Sequence, residues 1–231
     1  DPSGKSAERR LQTDADVAGF VDAISAQLHG IFANASAKIE VVDNGEWLRG
    51  LSAIAFLRDI GKHFSVNALV QRDAVKQRLE AREQGISYTE FSYALLQAYD
   101  FVELYRRHGV LAQLGGSDQW GNIVSGIDLI DRLERGEDGQ LPRGKPFGLT
   151  MPLITTKAGQ KFGKTEAGTV WLSPLRTSPY QFYQFWLQAD DDDALRYLRF
   201  YSLKPREQLE VIESAQQAEP HKRAAQKALA A

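Results

Sequence analysis

The segment from Val110 to Thr155 constrains the fold most strongly. An apolar run, "VLAQL" (110–114), meets the paired glycines Gly115-Gly116. A helical pattern then runs from about Ser117 to Arg135, and a second apolar run, "FGLTMPLIT" (147–155), follows. Strand, tight glycine turn, helix and strand again form the βαβ grammar of a parallel sheet, because parallel strands need a long crossover and helices cover their faces. In such sheets the ligand side is the carboxyl edge, where a helix N-terminus presents free backbone N–H groups. "LGGSDQWGN" (114–122) is that junction. Gly116 permits close approach, Asp118 suits a ribose hydroxyl, and Gln119 suits a carbonyl. Asp118 equally suits the plain role of stabilising a helix start.

Around this unit the pattern is mostly helical. "TDADVAGFVDAISAQLHGIF" (13–32) has Thr13 or Asp14 as a cap and apolar residues at helical spacing. "KIEVV" (38–42) reads as a short strand, and helical patterns follow at 51–60 and 66–83. The next helix runs from Ser87 to His108, with Thr89 as a possible cap and Gly109 as its stop. "TVWL" (169–172) reads as a further strand. After Ser173 no strand pattern occurs; aromatic helical stretches alternate with prolines, and "DDDD" (190–193) suits a helix N-terminus. The expected architecture is therefore α/β: a Rossmann-like parallel-sheet nucleotide-binding domain over residues 1–172, then a small α-helical domain over 173–231.

Charge and composition exclude several classes. Lys and Arg total 28 against 30 Asp and Glu, so the net charge of −2 argues against a protein that coats polyanions wholesale. There is no cysteine, which removes disulfides and thiolate chemistry. No apolar run reaches the length of a membrane span and no signal-peptide pattern opens the sequence. The four histidines, His29, His63, His108 and His221, are scattered without metal-ligand spacing.

Two further segments carry chemistry. In "SYTEFSYALLQAYDFVELYRRHG" (87–109), Tyr93, Gln97, Asp100 and Leu104 fall at about 0°, 40°, 340° and 20° around a helix, one narrow stripe. Phe91, Leu95, Ala98 and Val102 form a core face opposite. Phenol, amide and carboxylate on one stripe suit a small zwitterion, although a solvated helix face has the same pattern. "KFGKT" (161–165) gathers Lys161, Lys164 and Thr165 between glycines. Its spacing is not that of the G-x-x-x-x-G-K-[ST] phosphate loop, because only three residues separate Gly159 from Gly163. Two cations and a hydroxyl still suit phosphate charge, which cations stabilise as it develops. A solvated hairpin tip remains the alternative.

Together, "FLRDIGKHFSVN" (56–67), "GISYTEFSYALLQAYDF" (85–101), "GGSDQWGN" (115–122), "KFGKT" and "TSPYQFYQFW" (177–186) resemble the bacterial tyrosyl-tRNA synthetases, a family of class I aminoacyl-tRNA synthetases. The resemblance implies that Tyr93 and Gln97 bind the ammonium of L-tyrosine and that Asp100 accepts the substrate phenol. It implies that Asn44, with Phe101 and Leu104, lines the same pocket. It assigns Gly116 and Asp118 to the ATP ribose and Gln119 to the tyrosyl carboxyl group. Lys161, Lys164 and Thr165 are assigned to the phosphates, the two lysines also to ATP binding, and "KFGKT" is the family's form of the signature loop.

It further implies tyrosine activation by ATP, transfer to tRNA(Tyr), Mg2+ accompanying ATP, a homodimer formed around Tyr88, and a cytoplasmic location. The family's His-x-Gly-His element is absent from this sequence, which opens on the "DPS" that follows that element in the family. The first strand and helix of the nucleotide fold, and the C-terminal RNA-binding domain, are thus expected to lie outside the sequence. A tryptophanyl-tRNA synthetase and an inactive synthetase-derived RNA-binding scaffold are the rival readings.

Overall fold

The structure is a computed structural model that describes residues 12–72, 75, 76, 79, 86–155, 164, 165 and 168–231, with 164–165 and 168–169 described by backbone alone. The chain divides into two compact units, Asp1–Met151 and Pro152–Ala231.

In the first unit, helix α1 (Asp14–Ile31) starts in a reciprocal capping box, with the Thr13 side chain accepting from the Asp16 backbone and the Asp16 carboxylate accepting from Thr13. The stretch 38–42 is not a strand. Its apolar alternation lacks a partner ladder among the described residues, and an unpaired strand leaves its backbone groups unsatisfied. The pattern at 51–60 resolves into a short α-helical turn (Ala53–Ala55), a π-helical stretch (Phe56–Ile60) and a 3-10 turn (Gly61–His63). Helix α2 (Val66–Val70) follows, and part of the expected 66–83 helix lies outside the described residues.

Helix α3 (Tyr88–His108) is the spine of this unit. Ser87, not Thr89, caps it, because Ser87 has Glu90 three residues on to close the box; Gly109 ends it in the left-handed conformation at φ 67°. Leu95, Ala98 and Val102 are buried as the spacing requires, and Phe101 and Tyr105 join them. With Ile60, Leu129 and Ile130 these residues form the core. The Tyr105 hydroxyl donates to the Gly144 carbonyl at 3.1 Å and accepts from the Arg143 amide at 3.0 Å, tying the loop before the next strand to α3.

Strand β1 (Ala112–Gly116) passes through a 3-10 turn (Ser117–Gln119) into helix α4 (Trp120–Glu134) and returns as β2 (Phe147–Met151). The two strands pair in parallel, Ala112 with Phe147 through Gly116 with Met151. Glycine is required where α4 meets the sheet. A Cβ on Gly148 would lie 2.4 Å from Cγ2 of Ile123, and one on Gly115 would lie 2.9 Å from Cβ of Gln119. The α3–α4 contact uses the same device, since a Cβ on Gly126 would meet Cδ1 of Phe101 at 2.8 Å.

In the second unit, β3 (Lys164–Thr165) and β4 (Gly168–Thr169) pair antiparallel, so "TVWL" contributes only its first residue to a strand. Helices α5 (Pro179–Leu187), α6 (Asp191–Tyr201), α7 (Arg206–Ala218) and α8 (Ala224–Ala230) follow. Asp190 stands at the N-cap position of α6 without a side-chain cap hydrogen bond, and Asp191–Asp193 fill its first turn, as "DDDD" implied. Ala194, Leu198 and Ala225 form the core, and Trp186 makes edge-on contacts with Phe182, Phe185, Tyr197 and Tyr201.

Two glycines should respond oppositely to the same change. Gly126→Ala forces Phe101 out of place and should lose about 1–3 kcal/mol. Gly19→Ala, inside α1 with no atom within 4 Å of the new methyl, should gain about 0.5–1 kcal/mol. Denaturant titration of both variants measures this.

Candidate functional site

The helical stripe is real, and the rest of the first unit closes on it from two sides. Asp100 sits half-buried on α3. Its Oδ2 accepts from Nδ2 of Asn44 at 2.9 Å, and its Oδ1 accepts from Nε1 of Trp47 at 2.7 Å. Both donors come from "DNGEW". Asp43 shapes this segment by accepting the Gly45 amide at 2.8 Å, which starts a single helical turn, Gly45–Leu48. Asn44 and Trp47, three residues apart on that turn, thus reach the same carboxylate. Burial pushes the Asp100 carboxyl above its ordinary value, and the Asn44 and Trp47 hydrogen bonds pull it back in part. A carboxylate held by two donors inside the protein has lone pairs left for a third.

Trp47 is itself buried and fixed from behind. The Arg107 guanidinium lies 5.5 Å from the indole centroid, and Nε of Arg107 pairs with Oε2 of Glu103 at 2.6 Å. Glu103 is 5% exposed. Burial raises its carboxyl, but hydrogen bonds from Arg107, Tyr99 and Arg106 outweigh that and hold it below the ordinary range. The Tyr99 phenol is pushed up to about 12, by burial first and then by Glu103.

Towards the helix N-terminus the groups are amides. Nε2 of Gln97 donates to Oε1 of Gln119 at 3.2 Å, and Nδ2 of Asn122 donates to Oε1 of Gln97 at 3.0 Å. Gln119 stands in the turn after β1, so the helix stripe and the glycine junction are physically joined. Arg72 extends the chain of contacts, donating to Oδ1 of Asn122 at 3.3 Å and to the Ser125 hydroxyl. Burial lowers the Arg72 guanidinium from its usual value. Tyr93 is 44% exposed, which leaves its phenol available at the open end of the stripe.

The structure therefore brings together Asn44 with Asp100 and Gln97 with Gln119, while Gly116 ends β1 opposite Met151. Asp118 stands exposed beside Gln119, whose Nε2 is 3.5 Å from Oδ2 of Asp118. Leu104 is half-buried. Phe101, expected at the pocket, is fully buried in the core against the α3–α4 crossing. Its offset from the stripe turns it inward. Lys161 lies outside the described residues, as do the side chains of Lys164 and Thr165. The backbone of Lys164 and Thr165 is the first strand of the β3–β4 hairpin.

Trp47, Asn122 and Arg72 escaped the sequence reading. Trp47 had a signal, its i+3 relation to Asn44, and Asn122 stands three residues beyond Gln119 in the first turn of α4. Arg72 had none, because the 50 residues between it and Asn122 are bridged only by the tertiary fold.

Comparison with known proteins gives the family. The class I tRNA synthetase family of the W and Y type matches residues 1–231. Tyrosine–tRNA ligase 1 of Vibrio parahaemolyticus is 51% identical over 231 residues, which is 100% of this chain and 53% of that protein. The tyrosine–tRNA ligase of Dechloromonas aromatica is 49% identical over 232 residues, again 53% of its length. The chain thus spans about half the length of these curated relatives. Among solved structures, a C-terminally truncated mitochondrial tyrosyl-tRNA synthetase of Aspergillus nidulans superposes with a TM-score of 0.77 at 29% identity, over 100% of this chain and 66% of that one. By sequence over its whole length and by fold, the chain belongs to the class I tRNA synthetases of the tryptophan and tyrosine type.

Proposed function

We propose that this chain carries the amino-acid activation site of a tyrosine–tRNA ligase, which joins L-tyrosine to ATP as tyrosyl-adenylate and passes it to the 3′ end of tRNA(Tyr). The observation that carries this reading is the polarity of the α3 stripe. A half-buried carboxylate with spare acceptor capacity, Asp100, stands at one end, and the phenol and amide of Tyr93 and Gln97 stand at the other. Seven residues separate Tyr93 from Asp100, about 10 Å along the helix. An amino acid laid along it places its ammonium by Tyr93 and Gln97 and its own hydroxyl by Asp100. An indole N–H can also donate to that carboxylate, as Trp47 does. Tyrosine is favoured over tryptophan because the relatives at about half identity are tyrosine–tRNA ligases.

In this reading the chain's own groups position and polarise. Gln119, held by Gln97 and Asn122, orients the tyrosyl carboxylate for attack on the α-phosphate, and Gly116 and Asp118 hold the ribose. Lys161, Lys164 and Thr165 stabilise charge on the departing pyrophosphate. No general base of unusual pKa is needed, because the nucleophile is already a carboxylate. Among the described residues no group of three or more His, Cys, Asp or Glu could hold a metal ion. Magnesium is expected to accompany ATP, and no step is assigned to it. The functional division follows the chemistry: residues 1–172 hold the Rossmann-like catalytic part, with the lysine hairpin, and 173–231 begin an α-helical anticodon-recognition domain. Tyr88, 68% exposed at the start of α3, is a contact of the proposed homodimer. No described helix is long and apolar enough to cross a membrane; the cytoplasmic location belongs to the same proposal and follows from the resemblance.

Specificity against phenylalanine follows from the unpaired acceptor that phenylalanine leaves at Asp100. Tyrosyl-tRNA synthetases are themselves the known case, rejecting phenylalanine by about 10⁵-fold. Asp100→Ala should reduce that discrimination by about 100-fold or more, the worth of a charge-assisted hydrogen bond of ~3 kcal/mol. Unchanged discrimination in a folded variant would remove Asp100 from the site. The pH dependence has a defined sign. Because burial raises the Asp100 carboxyl, tyrosine affinity should fall as pH drops through a midpoint above the ordinary 3.8, and Asp100→Asn should flatten that dependence. Folding responds oppositely, since a raised carboxyl means the charged form is disfavoured and Asp100 opposes folding less as pH falls through the same window.

Lys164→Ala should slow adenylate formation by about 10²–10³-fold, as for the loss of one preorganised charge-stabilising group, with tyrosine affinity nearly unchanged. Stopped-flow measurement of tyrosine binding and of the chemical step separates the two. Collapse of tyrosine affinity instead would move Lys164 into the amino-acid pocket.

A further inference from the structure

A second concave site lies behind the amino-acid stripe, on the far side of Arg72. It is a cleft of about 350 Å³ between the segment that leads from the 3-10 turn through α2 to Arg72 and the outer face of α4. Its walls carry Lys62, His63 and Arg72 from the first segment, and Ser125, Asp128 and Arg132 from α4. We propose that this cleft binds a free phosphate-class anion, inorganic phosphate or pyrophosphate, and that its occupancy is felt at the amino-acid site through Arg72, Asn122 and Gln97.

The charge balance is the first argument. Among the lining residues three permanent cations, Lys62, Arg72 and Arg132, stand with one carboxylate, Asp128. None of the three makes an ion pair among the described residues, although the Lys62 charge also acts on Asp59 outside the lining. Cations gathered in one cleft repel each other, and more strongly where a low-dielectric wall reduces screening. An anion bound between them reverses the sign of that energy. The His63 ring reports the same positive field. Its pKa is lowered by burial first, then by Lys62 and Arg132. Nε2 of His63 is also buried without a hydrogen-bond partner, an exception of the kind that an ordered ion or water resolves.

The donors fit an oxyanion rather than an apolar ligand. Guanidinium groups from both walls (Arg72 and Arg132) and the Lys62 ammonium from one are the groups that recognise phosphate; the Ser125 hydroxyl already donates to the Gly121 carbonyl. The volume is at the small end for ligand pockets, enough for one or two phosphoryl groups. Half-burial of Arg72 places a charge inside the cleft instead of on a rim, which suits a compact anion that enters over a polymer that runs across the surface.

The second argument is connectivity. Arg72 spends two of its nitrogens on Asn122 and Ser125, and Asn122 in turn donates to Gln97 and, at 3.5 Å, to Gln119. An anion that draws the guanidinium into the cleft releases Oδ1 of Asn122 and frees its amide to reorient. The acceptor oxygen of Gln97 and the donor amide of Gln119 are then presented differently to the ammonium and carboxyl of the amino acid. This coupling rests on the tyrosine-site reading above; the anion site does not.

Calorimetric titration of the full chain with pyrophosphate and with inorganic phosphate, at constant ionic strength and without tyrosine, tests the anion site directly. The titrated chain carries Lys161→Ala and Lys164→Ala, which removes the lysine loop as a competing anion site. Saturable binding in the millimolar range or tighter is expected. Lys62→Gln and Arg132→Gln should each weaken it several-fold while the thermal unfolding profile is retained. No saturable binding by either anion, or binding that both variants leave unchanged, overturns the site. So does charge-dependent binding of a short RNA with none of the free anions, which would make the cleft a backbone contact. The coupling is read as the tyrosine dissociation constant with and without saturating pyrophosphate. A shift of about 3-fold or more that disappears in Asn122→Ala, with pyrophosphate binding intact, is the expected result. Equal shifts in both proteins overturn the coupling. Failure of tyrosine to bind at all overturns the coupling together with the tyrosine reading, and leaves the anion titration to stand by itself.

Discussion

The structure of the site depends on keeping a carboxylate ionised where water is scarce. Removing Asp100 from solvent disfavours its charge, and the pair of donors from Asn44 and Trp47 offsets that cost only in part. Those donors have value only if they cannot turn away. The Asp43 turn fixes the start of the Gly45–Leu48 helical turn, and Arg107, anchored on buried Glu103, lies over the face of the Trp47 indole. On the proposed reading, a ligand hydroxyl completes the set. The same desolvation that destabilises the empty site is what makes a ligand without a hydroxyl a poor occupant.

Helix α3 supplies both halves of this arrangement. One face packs through Ala98, Phe101, Val102 and Tyr105 into the core, and Gly126 lets α4 approach to contact distance. The other face offers the stripe. Because α4 begins at the carboxyl edge of β1, its first turn brings Gln119 and Asn122 onto Gln97. The close packing that the glycines allow is thus what sets the distance between the amide cluster and the helix stripe. A methyl group at Gly115 would push against Gln119 itself.

Much of this was legible in the sequence. The βαβ unit, α3 with its two faces, the Gly109 stop and the acid start of α6 each rest on local periodicity or a local cap, and these survive folding. The failures are tertiary. "KIEVV" has strand composition without a ladder among the described residues, and Phe101, placed at the pocket by the resemblance alone, is buried in the core beside α4. Ser87 outcompeted Thr89 because only Ser87 has a glutamate at the third position of the helix. Among site residues, Tyr93, Gln97 and Asp100 could be grouped from one helix wheel. Trp47 had only its i+3 relation to Asn44 to mark it, and Arg72 had nothing local, since it reaches Asn122 across 50 positions of chain.

Tyrosine-dependent exchange of labelled pyrophosphate into ATP, using the full-length protein that contains this chain, tests the central claim most directly. It reports adenylate formation without requiring tRNA. The account predicts exchange with L-tyrosine and none above background with L-tryptophan or L-phenylalanine. Exchange driven by tryptophan, or none with any of the three from a folded protein, would contradict it.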